Sequence, residues 1–277
     1  MCESSNAVAV IMSVYGGDSP EHLTLSLSSI FNQDIAGKRA IHLYLGVDGP
    51  ISSEVDAVIQ VWEDRIHCLK RFRENRGLAH VLNELINCLD AEEFVFRMDA
   101  DDVSLPRRFS AQVAFMESEP DVGICGTAIN EFASGNFMRV ISYPTAHVEA
   151  VSALKCRSPF AHPTVCFRRS ALELFKSYPT DAANEDIALW FKAVAMGIKF
   201  ANLDDPLVNF RISDGFWKRR GFSKALGELR CYWRGLKLLQ SPASHYCWPI
   251  FRFIFRLSPV FIRRAGYQSQ LRHLILK

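Results

Sequence analysis

Glu93–Arg108 reads EFVFRMDADDVSLPRR, an apolar run that breaks into carboxylates and closes on a proline and two arginines. Phe94, Val95, Phe96 and Met98 have the pattern of a strand covered by other structure. Open α/β sheets take their ligands at the carboxyl ends of the strands, and Asp99, Asp101 and Asp102 fall at such an end. Three carboxylates within four residues repel one another, so a positive group is expected among them. Mg²⁺ or Mn²⁺ suits such oxygen ligands and keeps positions free for a phosphate-bearing substrate. Spacing alone leaves an alternative open, a solvated acidic turn ended by Pro106.

On the N-terminal side the same pattern repeats. Ala7–Tyr15 (AVAVIMSVY) predicts a buried strand that ends at Gly16, and Ser19-Pro20 opens a helix whose apolar face carries Leu23, Leu27, Ile30 and Phe31. Ile41–Val47 predicts a second strand with Asp48-Gly49-Pro50 as its turn. Val55, Val58, Ile59 and Trp62 mark the next helix. Ile66–Phe72 predicts a third strand, Asn75-Arg76-Gly77 a turn, and Leu78, Val81, Leu82, Leu85, Ile86 and Leu89 a strongly amphipathic helix. Strand and helix in alternation imply a parallel sheet, and right-handed crossovers bring the strand ends to one edge. Tyr15, Asp48, Asn75 and Asp99–Asp102 therefore converge as a nucleotide site. Neither a dinucleotide fingerprint nor a P-loop occurs at any strand-to-helix turn, which leaves a metal to carry the phosphates.

Composition agrees with a folded α/β chain. Of 277 residues 49% are hydrophobic, enough for a full core. The eight cysteines lie mostly in apolar runs without C-x-x-C pairing, which fits reduced thiols in a cytoplasmic compartment; no secretory signal pattern opens the chain. Beyond Gly215 thirteen lysines and arginines face one acid, Glu228, so a polyanionic surface is the expected partner of this basic tail.

Together these segments resemble an inverting family 2 glycosyltransferase of the GT-A fold, the type that builds bacterial O-antigen and other surface polysaccharides. The likeness runs from about Ala7 to Arg211 and rests on Ser13-Val14-Tyr15, Asp48, Asn75, Gly77 and Asn83, and the D-x-D residues Asp99 and Asp101 with Asp102 and Pro106. It implies a Rossmann-like, mostly parallel sheet with helices on both faces. Tyr15, Asp48, Asn75, Gly77 and Asp99 would bind the nucleotide sugar, with Asp48 facing the uracil, and Asp101 and Asp99 would hold the metal. The family commonly has two acids after the second strand, where this chain keeps one. His162, in the Pro159–Arg169 turn and strand, and Asp102 and Arg211 would lie toward the acceptor. Glu185 and Asp186 stand at a helix start, where the dipole alone favours acids. The resemblance makes them the E-D motif, with Asp186 removing the acceptor proton.

The resulting expectation is a glycosyltransferase domain over residues 1–213, its nucleotide-sugar half about 1–105 and its acceptor half about 106–213, followed by a tail over 214–277. The tail repeats Phe222, Leu226, Leu229, Trp233 and Leu236 at helical spacing, and Trp248–Ile262 is apolar but broken by Arg252, Arg256 and Pro259. It is too interrupted to span a bilayer, which needs ~20 apolar residues. A basic amphipathic tail suits peripheral attachment to the inner face of the cytoplasmic membrane; a helical cap on the core is the alternative. Implied partners are a UDP-sugar, glucose or galactose, and an amino sugar on undecaprenyl diphosphate, with no nucleic acid. A sugar-phosphate nucleotidyltransferase and a non-catalytic membrane-surface protein are the competing classes. The first would need a basic, glycine-rich phosphate loop after the first strand, and Gly16-Gly17-Asp18 offers none.

Overall fold

The computed structural model describes residues 6–35, 38–133, 136–212 and 222–258. Ala7–Tyr15 forms β1, with apolar residues on both sides. Pro20–Phe31 is α1, capped by the Ser19 hydroxyl, which accepts from His22 N at 3.4 Å. Ala40–Asp48 (β2), Ser53–Trp62 (α2), Ile66–Arg71 (β3), Leu78–Ile86 (α3) and Phe94–Asp99 (β4) complete the alternation read from the sequence. The strands β3, β2, β1 and β4 lie side by side and all parallel.

A second half follows. It comprises Val103–Ser104 (β5), Arg108–Ser118 (α4), Val122–Ala133 (β6), Asn136–Ile141 (β7) and His147–Leu154 (α5). Cys166–Arg168 (β8), Arg169–Phe175 (α6), Glu185–Ala195 (α7) and Lys199–Arg211 (β9) come next. The sheet continues from β4 through β8, β6 and β9 to β5, with β7 on β6, nine strands in all. Here β8 and β5 run antiparallel to their neighbours while β6 and β9 are parallel, so the parallel order of the first half gives way to a mixed one.

Alternation along β1 sorts the core into two layers. Ala9 and Ile11 face α3, α5, α6 and α7 with Trp190 and Phe167. Val8, Val10 and Met12 face α1, α2 and α4 with Leu27, Ile59 and Phe109. Full burial of such side chains contributes ~1.5–3 kcal/mol each, which fixes strand register and thereby where each strand ends.

The tail residues resolve into Phe222–Leu238 (α8) and Cys247–Leu257 (α9). α8 buries only part of the apolar stripe read from the sequence, Leu236 fully and Leu226 and Leu229 in part. Ala225, Glu228, Cys231, Tyr232, Gly235 and Leu236 are buried, whereas Phe222 and Trp233 are 61% and 47% exposed. Close approach to α7 goes with this: a Cβ on Gly235 would lie 2.2 Å from the Phe191 ring, and Tyr232 and Leu236 pack beside that glycine while Phe222 and Trp233 turn outward. α9 likewise points Arg252 and Arg256 inward to Glu228, and exposes Trp248, Ile250, Phe251, Ile254 and Leu257. The basic residues Lys218, Arg219, Arg220, Arg263, Arg264, Arg272 and Lys277 lie outside the described residues.

Candidate active site

At the carboxyl edge of the parallel strands opens a cleft of about 720 Å³, and the polar strand ends meet in it. Tyr15 from β1, Asp48 from β2, Asn75 and Gly77 from the turn before α3, and Asp99 and Asp101 after β4 all border it, with Arg211 from the end of β9.

Asp48 is nearly fully buried and braces that turn: its carboxylate accepts Arg76 N–H at 2.7 Å and Gly77 N–H at 2.9 Å. Asn75 Nδ2 donates to the Asp48 carbonyl at 3.3 Å. Gly77 has φ +90°, a left-handed conformation that glycine takes without a Cβ penalty. The Asn75–Gly77 segment thus presents a fixed backbone edge to the cleft.

β4 carries the centre of charge. Arg97, 2% exposed, grips Asp99 with both guanidinium nitrogens, one bond being 2.7 Å. Ser26 of α1 donates to the Asp99 carbonyl at 2.9 Å, and the buried Arg108 of α4 donates to the Arg97 carbonyl at 2.9 Å. Carboxylate oxygens of Asp99, Asp101 and Asp102 lie within 4.8 Å of one another. Burial and then the Asp99 charge push the Asp101 carboxyl up to about 6, and the same two causes hold Asp102 well above the usual carboxylate range. Asp102 accepts Arg211 N–H at 2.8 Å through one oxygen, while its other oxygen is buried without a hydrogen-bond partner. Crowded, incompletely neutralised hard oxygens fit a divalent cation, held by Asp101 with Asp99 and Asp102 beside it. Arg211 also donates through Nε to the Asp101 carbonyl at 2.8 Å and lies over the Phe132 ring at 4.4 Å.

Glu185 and Asp186 occupy the first turn of α7, directly after Asn184, which borders the cleft. Burial, then the Glu185 charge, raises Asp186 to about 7; the Ile187 N–H at the helix start pulls in the opposite direction. Burial also raises Glu185. A carboxylate balanced near neutral pH is suited to accepting a proton during turnover.

His162 stands in the turn before β8. Its Nε2 lies 3.0 Å from the Tyr178 hydroxyl, its ring is edge-on to Trp190, and it is not among the residues bordering the cleft. Burial, then the charge of Arg97, holds it well below the ordinary imidazole value, so it is neutral. Tyr178 is in turn pinned by Asn83, whose side chain donates to the Tyr178 carbonyl at 3.0 Å and accepts its N–H at 2.7 Å. His162 and Asn83 thus hold the segment leading to α7 from opposite sides.

Arg97, Lys224 and Arg256 were not foreseen as site residues. Arg97 had a sequence signal, an arginine inside the apolar FVFRM run, where a buried charge must find a partner. Lys224 and Arg256 border the cleft from α8 and α9 and carried no local signal. All seven described cysteines are free thiols, and Cys2 lies outside the described residues. No helix among the described residues is long and apolar enough to cross a membrane.

The mixed nine-stranded sheet and its carboxylate-lined cleft define a GT-A glycosyltransferase. The sequence matches the family described as Glycosyl transferase family 2 over residues 9–175, and Glycosyl transferase family group 2 over residues 94–268; the chain belongs to glycosyltransferase family 2. It is 31% identical over 265 residues to the amylovoran biosynthesis glycosyltransferase AmsE of Erwinia amylovora, covering 94% of this chain and 98% of that one. It is 30% identical over 281 residues to the Escherichia coli UDP-Gal:alpha-D-GlcNAc-diphosphoundecaprenol beta-1,3-galactosyltransferase, covering 99% and 100%. Among solved structures, the mannosyltransferase PcManGT of Pyrobaculum calidifontis in complex with GDP-Man and Mn²⁺ superimposes with a TM-score of 0.65 at 17% identity, over 99% of this chain and 80% of that one. The TarS 1–349 fragment of S. aureus in complex with UDP gives 0.63 at 16% identity, over 97% and 77%. The chain is an enzyme of the glycosyltransferase class, and the nucleotidyltransferase and binding-protein alternatives fall away.

Proposed function

We propose that this enzyme transfers a hexose, glucose or galactose, from a UDP-sugar to an amino sugar on undecaprenyl diphosphate during assembly of a bacterial surface polysaccharide, with inversion at the anomeric carbon. The observation that carries the reading is a carboxylate cluster at the end of β4, of which Asp99 and Asp101 border the cleft, together with a carboxylate near neutral pKa at the start of α7, two residues after Asn184 on the same border. The full-length similarity to an enzyme whose own name specifies UDP-Gal and a GlcNAc-diphosphoundecaprenol acceptor supports donor and acceptor class.

In this reading Tyr15, Asp48 and the Asn75–Gly77 edge hold the uridine, and Asp99, fixed by Arg97, orients the donor. Asp101 with Asp99 would hold Mn²⁺ or Mg²⁺, which offsets charge on the leaving diphosphate as a Lewis acid. Asp186 takes the proton of the attacking acceptor hydroxyl as the new bond forms, with Glu185 raising its basicity. One displacement inverts the centre, so no covalent sugar–enzyme bond is needed. Arg211, tied to Asp101 and Asp102, and Asp102 itself stay on the acceptor side of the metal cluster. His162 contributes by holding the segment before α7.

Residues 1–213 act as the transferase, about 1–105 toward the donor and about 106–213 toward the acceptor. The tail over 214–277 brings the enzyme to the inner face of the cytoplasmic membrane. The exposed apolar row on α9 supports that role, inserting beneath the headgroups while Arg252 and Arg256 stay with the protein.

Incubation with a panel of labelled nucleotide sugars and synthetic α-GlcNAc- and α-GalNAc-diphospholipids tests the reading. The expected result is product from UDP-glucose or UDP-galactose with a β-linkage by NMR. An α-linked product removes the inverting mechanism, and turnover only with GDP- or dTDP-sugars removes the donor assignment.

A further inference from the structure

Between α7 and α8 lies a second cavity of about 470 Å³, and it adjoins the catalytic cleft, since Ala183 borders both. Its apolar lining comes from Ala188 and the buried Phe191 of α7 and from the exposed Leu238 of α8. Its rim carries Arg230 and Arg234, one helical turn apart on α8 and both exposed. Arg234 pairs with Asp181 at 3.1 Å, an ion pair exposed on both sides and therefore weak. Glu228, the acid of α8 itself, is committed to Arg252 and Arg256. Among the described residues, two guanidiniums thus meet one carboxylate on the rim.

Lys224 of α8 borders the catalytic cleft, while Arg230 and Arg234 border the groove from another face of the same helix. Cys231, the neighbour of Arg230, donates to the Asn184 carbonyl at 3.6 Å, which sets this turn of α8 against the residue preceding Glu185 and Asp186. The groove therefore adjoins the start of α7 as well as the cleft. Guanidinium groups bind phosphate oxygens in a fork, and apolar lining beside them suits a hydrocarbon chain attached to those phosphates.

We propose that this groove receives the diphosphate of the acceptor, with Arg230 and Arg234 on the phosphates and Phe191 and Leu238 beneath the start of the lipid chain. The assignment rests on the lipid-diphosphate acceptor put forward above, and it names the residues that recognise it.

Titration of the full chain with farnesyl diphosphate by calorimetry, without divalent cation or membrane, tests binding separately from turnover. The parent binds, and an Arg230→Gln/Arg234→Gln variant with unchanged thermal unfolding binds at least tenfold more weakly, the scale of losing one charge-assisted contact. Farnesol binds parent and variant equally weakly. Equal affinity of parent and variant for farnesyl diphosphate overturns the proposal, as does a parent that binds farnesol as well as the diphosphate. A variant that loses anionic vesicles but keeps farnesyl diphosphate also overturns it, and makes the rim a membrane contact. If farnesyl diphosphate binding depends on the two arginines while no lipid-linked sugar is a substrate, the groove stands and the acceptor sugar proposed above is what fails.

Discussion

Two clusters of arginine and carboxylate reach the cleft, one through Asp99 and Asp101 and the other through Arg256, and they are built to opposite balances. Beside β4 one fully buried arginine, Arg97, serves Asp99, Asp101 and Asp102, with Arg211 reaching in mainly through its backbone N–H and the Asp101 carbonyl. Between α8 and α9 one buried acid, Glu228, serves two arginines, Arg252 at 2.5 Å and Arg256 at 2.6 Å. Excess negative charge in the first leaves carboxyls raised and one oxygen unpartnered, a state that a divalent cation relieves. Excess positive charge in the second needs no further ligand beyond Glu228 to close the tail onto itself, and it leaves Arg256 at the cleft edge. A buried ion cluster is thus a reactive centre or a clasp according to which sign is left over.

If the first cluster holds a metal, chelation by EDTA takes turnover to background and Mn²⁺ or Mg²⁺ restores it. Asp101→Ala should lose on the order of 10³-fold while remaining folded, the scale for one charge-stabilising contact. Full turnover in EDTA would break the comparison at its root.

Asp186→Asn should lower turnover by ~10²- to 10⁴-fold and leave UDP affinity unchanged. In the parent, the rate should fall as pH drops below about 7, because the base is then protonated. Turnover of Asp186→Asn within tenfold of the parent would transfer the role to Glu185.

Glu228→Gln tests the clasp. Removing the carboxylate shared by the half-buried Arg252 and Arg256 should cost ~3 kcal/mol in stability, the low end for a buried pair because Arg252 keeps the Cys156 carbonyl. At roughly 2–4 °C per kcal/mol, the melting temperature should fall by about 10 °C, with the Asp99, Asp101 and Asp102 cluster unaffected. An unchanged melting temperature would mean that α8 and α9 are held by apolar contact alone.

Raised carboxyls predict a gentler effect in metal-free protein. Between pH about 4 and 7 the folded chain keeps protons on Asp101 and Asp186 that the unfolded chain has released, so their contribution to stability is full below about pH 4 and is lost as pH rises through 6 to 7. Thermal melts across that range should show the decline, and Asp101→Asn/Asp186→Asn should flatten it. A slope identical in parent and double variant would show that these carboxyls titrate normally.

The smallest expected change concerns the outer face of α9. Phe251→Asp/Ile254→Asp should release the protein from anionic vesicles severalfold without altering turnover on a short-chain acceptor in solution, whereas retained vesicle binding would return α9 to a purely structural cap.

The molecule up to Asp99 is legible in its sequence because the information there is local. Apolar runs of strand length, capped helix starts and turn residues recur between Ala7 and Asp99, and side-chain alternation with right-handed crossovers leaves little choice about where Tyr15, Asp48, Asn75 and Asp99 end up. Glu185 and Asp186 were found as a pair, but their charge state depends on burial that no short window contains. His162 is the instructive case: its motif was visible, but its contacts with Tyr178 and Trp190 join segments brought together only by folding.

By itself, then, the sequence determined a strand-and-helix alternation, a shared strand-end edge and a carboxylate motif on it, since each follows from periodicity within one element. Tertiary structure alone decided which face of α8 and α9 turns inward, that Arg97 is the common counter-charge of the site, and that Lys224 and Arg256 close the cleft. Arg97 needs burial by the surrounding sheet to act so, although its partner Asp99 is two residues on, and the α8 and α9 faces depend on distant partners, such as Glu228 for Arg252, and on the close approach of α8 to Phe191. A helix with apolar, small and charged residues on several faces has more than one amphipathic solution, and only the surface it meets selects among them.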